Sequence, residues 1–100
     1  MSYETVYVLR TDLSEEGNKK VGGRLSDLVA RNGGKILEQK DLGIRSLAYQ
    51  IARQSKGHYY QVNYEGRGNL VQEVEKNLRL TEEVLRFLTI QIPQAAKGEL

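Results

Sequence analysis

The sequence contains no cysteine, so disulfides and thiolate-bound metal centres are excluded. It has one histidine. A lone imidazole supplies neither a nucleophile–base pair nor a convergent ligand set, and the serines sit at helix starts and turns where backbone hydrogen bonding places them. No cofactor and no metal are therefore expected. No apolar run approaches membrane-spanning length, and Met1 to Arg10 is a charged, alternating segment unlike a signal peptide. A soluble, intracellular protein without a membrane partner is expected. Charge of one sign is also scarce: 15 basic residues face 13 acidic ones, a net charge of +2. That is too little for a bulk polyanion binder, and no DNA partner is expected. Any nucleic-acid role must come from where the basic residues sit.

What is present is enough for one domain of 100 residues with 39% hydrophobic and 28% charged positions. Tyr3 to Leu9 alternates and reads as a strand, with Thr5, Tyr7 and Leu9 on one face and Val6 and Val8 on the other. Ser14 with Glu15 and Glu16 starts a helix. Its stripe is Val21, Leu25, Leu28, Val29 and Asn32, and Gly33-Gly34 ends it. Gly22-Gly23 inside that helix imply looseness or close packing on a sheet. Lys35 to Ala52 alternates around a break at Asp41-Leu42-Gly43 that suggests a bulge or bend. Gln54-Ser55-Lys56-Gly57 reads as a hairpin turn and His58 to Glu65 as the next strand, with Tyr60, Val62 and Tyr64 facing the core. Asn69 to Leu78 is a short helix with a Glu75–Arg79 pair at i,i+4 spacing. Val84 to Ile92 is the last strand, stopped by Pro93, the sole proline.

The order β-α-β-β-α-β predicts an α+β, ferredoxin-like domain over residues 1–93. It has a four-stranded antiparallel sheet with both helices on one face, and residues 94–100 form a flexible tail. One sheet face is left without helices. Val6, Val8, Tyr59, Gln61, Leu88 and Ile90 are expected there, and a half-apolar open face calls for a partner.

Several motifs invite chemistry and are better read plainly. Gly66-Arg67-Gly68 between strand and helix lacks the third small residue of a dinucleotide fingerprint and reads as a turn, with Arg67 free for a phosphate. Lys56 to Tyr64 is a poor match to an RNA recognition motif and would need Tyr60 outside the core. His58 reads as a strand-end histidine. The basic residues Arg45, Arg53, Lys56, Arg79 and Arg86 lie at strand edges and turns and together form a candidate phosphate-contacting rim.

Leu42-Gly43-Ile44-Arg45-Ser46-Leu47-Ala48-Tyr49-Gln50-Ile51 resembles the L-G-x-R-x-L-A-Y-P-I stretch of the bacterial small ribosomal subunit protein S-six family. Tyr3-Glu4, Gly33 to Ile36, Gly57 to Tyr59 and Leu78 to Arg86 resemble the family's corresponding segments, so the likeness runs from about Tyr3 to Ile92. Gln50 departs from it, standing where proline is usual. The resemblance implies a ferredoxin-like fold, no enzymatic activity, and a structural place in the central domain of 16S ribosomal RNA. It also implies assembly with small-subunit protein S-eighteen in the cytoplasm. Carried over by motif, Arg45, Arg53, Arg79 and Arg86 are the RNA-binding candidates, followed by Lys56 and Arg67. Val8, Tyr49, Tyr59 and Leu88 are the candidates for the protein partner.

Two rival readings share the architecture. A small-molecule-binding regulatory domain predicts a pocket at a dimer interface. An acylphosphatase-type enzyme requires a glycine-rich phosphate loop after the first strand. Here that loop is Arg10-Thr11-Asp12-Leu13, with an acidic residue and no glycine.

Overall fold

The computed structural model describes residues 1–93; the expected tail, 94–100, lies outside the described residues. The elements follow the order β1 (Ser2–Leu9), α1 (Glu15–Arg31), β2 (Lys35–Ile51), β3 (Gln54–Glu65), α2 (Gly68–Leu80) and β4 (Val84–Ile92). They form one four-stranded antiparallel sheet with strand order β2-β3-β1-β4. The ferredoxin-like expectation holds, with both helices packed on the same sheet face.

Alternation along β1 decides what lies under the helices. Tyr3, Thr5, Tyr7 and Leu9 are all buried, and the three apolar ones meet Val62 and Tyr64 of β3 in the core. Helix α1 begins where Ser14 Oγ accepts a hydrogen bond from the Gly17 N–H at 3.1 Å. It buries Val21, Leu25 and Val29, and it ends before Gly33, whose φ of +75° is open to glycine at no steric penalty. Asn32 is the C-cap and not part of the apolar stripe. Helix α2 buries Leu70, Val74 and Leu78 at the same four-residue spacing. Each such side chain contributes about 1.5–3 kcal/mol on burial. Thr5 is fully buried yet satisfied, its hydroxyl sharing hydrogen bonds with Tyr64 Oη at 2.9 Å and Thr89 Oγ1 at 2.8 Å.

The break in β2 is a bulge: the register with β3 shifts between Asp41 and Gly43. Gly43 has φ +88°, and Asp41 Oδ1 accepts from its N–H at 2.9 Å. The hairpin turn lies earlier than expected. Ala52 and Arg53 form it, with φ of 49° and 67°, and Ile51 pairs with Gln54 across it. Two central residues with positive φ are what a tight hairpin joining twisted strands requires. Gln54 to Gly57 belong to β3 instead, and Gly57 serves packing: a Cβ there would lie 2.2 Å from Val8 Cγ1. The expected Glu75–Arg79 ion pair does not form among the described residues. The Arg79 guanidinium lies over the Phe87 ring, 5.8 Å from its centroid.

Candidate functional site

The sheet face away from the helices carries Val6 and Val8 of β1 between neighbours that register fixes. Val8 stands opposite Tyr59 and Arg86; Val6 stands opposite Gln61 and Leu88. Leu88 is 67% exposed and Ile90 49%. A shallow depression of about 350 Å³ is lined by Val6, Val8, Tyr59, Arg86, Phe87 and Leu88. Three of the four residues expected to meet a protein partner, Val8, Tyr59 and Leu88, thus share one hollow. Their exposures differ, however. Val8 is only 2% exposed and forms the floor, while Leu88 stands at the side. Tyr49, the fourth, is exposed further out on the β2–β3 hairpin and does not reach the hollow.

Sequence reasoning missed Leu47. It approaches the Gly57 position beside Val8, its Cδ2 3.3 Å from where a Cβ would stand. Its two-residue spacing from Arg45 and Tyr49 on one strand was the available signal. The rest of the face is polar: Gln61 Nε2 donates to Glu4 Oε1 at 3.1 Å and to Asn63 Oδ1 at 3.0 Å. The apolar ground is therefore confined to one end and one edge of the face.

Five of the six basic candidates lie toward that same end. Arg45, paired with Gly57, reaches over Tyr59 at 5.5 Å from the ring centroid. Arg86 sits in the wall of the hollow. Arg53 is at the hairpin tip, and Lys56 pairs with Ser46 on the hairpin arm. Arg79 is in the last turn of α2, which leads to the start of β4. Arg67, the N-cap of α2, stands at the opposite end beside Gly66, whose N–H donates to Met1 O. The structure does not bring Arg67 together with the others.

The remaining titratable groups have local partners. His58 Nε2 and Asp41 Oδ1 are 2.7 Å apart. The hydrogen bond from His58, then that from Gly43 N–H, holds the Asp41 carboxyl below the usual range. Arg10 is paired with Asp12 at 2.9 Å, which ties down the arginine of the loop an acylphosphatase would need. Among the described residues no cluster of three or more histidines, aspartates or glutamates stands ready for a metal ion. No described helix is long and apolar enough to cross a membrane. Tyr60 faces the helices and stacks on Tyr7, centroids 5.5 Å apart, which removes it from the RNA-stacking role of an RNA recognition motif.

Over residues 2–91 the sequence matches the family described as Ribosomal protein S6. The chain belongs to the Ribosomal protein S6 family. Small ribosomal subunit protein bS6 of Synechococcus elongatus is 43% identical over 89 residues, covering 89% of this chain and 83% of that protein. The bS6 protein of Synechococcus sp. (strain RCC307) is 41% identical over 90 residues, covering 90% and 67%. The crystal structure of 30S ribosomal protein S6 from Thermotoga maritima is similar with a TM-score of 0.88 at 26% identity, covering 98% of this chain and 92% of that one. As an S6-family protein this chain is a structural component of the small ribosomal subunit, in the bacterial cytoplasm, and not an enzyme.

Proposed function

We propose that this S6-family protein binds the central domain of 16S ribosomal RNA jointly with small-subunit protein S-eighteen, which covers the helix-free face. The observation that carries this reading is the hollow over Val8, with Tyr59 and Leu88 beside it and Arg45 and Arg86 at its borders. An apolar depression bordered by guanidinium groups suits a protein partner whose docking leaves cations free for phosphate. Tyr49, Arg53 and Lys56 extend the same surface along the hairpin; Arg79 approaches it from the end of α2. Arg67 makes at most a separate contact.

The mechanism is positional. Phosphate contacts set register and orientation, and each one neutralised releases counterions, so affinity falls with salt. With a net charge of only +2, the chain alone binds RNA weakly and more tightly beside its partner. Filter binding to a central-domain RNA, with and without S-eighteen, tests this; equal affinities in the two arms overturn it. In the joint complex Arg45→Ala and Arg86→Ala should each reduce the slope of log K against log salt by about 0.7–0.9. Leu88→Asp should remove the gain that the partner brings while leaving the fold intact.

A further inference from the structure

The six tyrosines and one phenylalanine of the chain are not equally engaged. Tyr3 lies against Tyr64 and Tyr7 against Tyr60. Tyr59 lies under the Arg45 guanidinium and Phe87 under that of Arg79. Among the described residues, Tyr49 alone has neither a ring nor a guanidinium beside it. It is also 63% exposed. A ring with open faces is costly to leave in water and is suited to a flat partner.

The backbone displays this ring instead of covering it. On the β2–β3 arm Ser46 pairs with Lys56 and Ile51 with Gln54. Leu47, Ala48, Tyr49 and Gln50 therefore stand opposite Ser55 alone, an irregularity of the kind that re-aims side chains. The arm runs past the body of the sheet, since β1 reaches β3 no further in this direction than His58, through Leu9. Its charge is of one sign. Between Leu42 and Tyr64 there is no aspartate or glutamate, but there are Arg45, Arg53 and Lys56. All three are exposed. The ion pairs among the described residues, Arg10–Asp12, Lys40–Glu38 and His58–Asp41, include none of them.

We propose that Tyr49 is a stacking platform for an unpaired base of RNA, with Arg53 and Lys56 of the same arm on the neighbouring phosphates. The inference rests on the RNA-binding reading above, and it takes Tyr49 out of the protein partner's share of the surface. An apolar protein patch would match the ring but leave the cations uncompensated. An unpaired nucleotide brings a π face and a phosphate together. A duplex hides the faces of its bases, so the ligand is single-stranded. Every base has a π face, so the platform reads exposure and not sequence.

The test titrates the ¹⁵N-labelled full chain with a single-stranded oligouridine of about ten nucleotides and with a duplex RNA of the same length. Oligouridine should give saturable shifts at the amides of Leu47 to Arg53, and the duplex should bind about fivefold or more weakly. Tyr49→Ala and Tyr49→Leu should each weaken oligouridine binding by about fivefold or more, and Tyr49→Phe, which keeps the ring, should restore it. Arg53→Gln should reduce the slope of log K against log salt by about 0.7. Absence of saturable shifts, a duplex bound as tightly as the single strand, or wild-type affinity in Tyr49→Leu overturns the proposal. So does weaker S-eighteen binding by Tyr49→Leu in the absence of RNA, because that gives the ring to the protein partner. The titration contains neither S-eighteen nor central-domain RNA. If the partner-dependent filter binding fails, the titration still decides on Tyr49; if the titration fails, joint binding of RNA and S-eighteen stands on its own.

Discussion

Gly57→Ala is the sharpest test of how the helix-free face is built. The added methyl would sit 2.2 Å from Val8 Cγ1 and 3.3 Å from Leu47 Cδ2. Leu47 has room to swing. Val8 does not: it is 2% exposed, β-branched, and held in the central strand between Tyr59 and Arg86. Relief requires an off-rotamer valine or a wider gap between β1 and β3, and overpacking of this kind costs about 1–3 kcal/mol. In a domain of this size each kcal/mol lowers the melting temperature by about 4–8 °C.

Urea denaturation followed by circular dichroism reads the loss as a lower midpoint at unchanged slope. The clash itself is isolated by a double-mutant cycle. Val8→Ala removes the offending Cγ1 and destabilises by itself through lost burial. Combined with Gly57→Ala it should restore at least about 0.5 kcal/mol relative to the sum of the single effects. A Gly57→Ala protein with the wild-type midpoint, or a cycle that closes additively, would refute the reasoning.

Other expectations follow from the buried polar groups. Thr5→Val strips partners from both Tyr64 Oη and Thr89 Oγ1 and should destabilise by about 1–3 kcal/mol in the same denaturation assay. Burial, then the neighbouring Tyr60 and Asp41, pushes the Tyr7 phenol up to about 12, against about 10 in an unfolded chain. The unfolded state then loses its proton first, so this contribution is complete below about pH 10 and disappears as pH rises through about 12. The melting temperature of wild type should fall relative to that of Tyr7→Phe across that window; a constant difference would contradict the burial account.

The fold was legible because its signals were redundant. Strand alternation at Tyr3 to Leu9, the Ser14 cap, the Gly33 stop and the four-residue stripes of both helices each point to the same arrangement. The turn was misplaced because Ser55-Lys56-Gly57 has the composition of a turn. Gly57 is instead small for the sake of Val8, a contact 49 positions away that no local pattern reveals. Ala52 and Arg53 take up positive φ without being glycine or asparagine, so tertiary pairing of Ile51 with Gln54 overrides local preference. The candidate surface was legible to the extent that alternation puts Val6, Val8, Tyr59 and Leu88 on one side. Its depth was not, since the same pattern cannot tell the submerged Val8 from the protruding Leu88. Periodicity was equally silent on Gly22-Gly23, where only coordinates distinguish a helix pressed on a sheet from one held open: a Cβ at either would meet nothing closer than 3.7 Å.

Ser2 pairs with both Glu65 and Ile92, so β1 has no neighbour in the sheet until β3 has been made. Its second flank is filled only by the last strand. A nascent chain emerging from the exit tunnel must therefore keep its most deeply buried strand waiting, and closure of the sheet awaits β4. The long-range pairing of β1 and β4 is the slow, loop-closing event of folding.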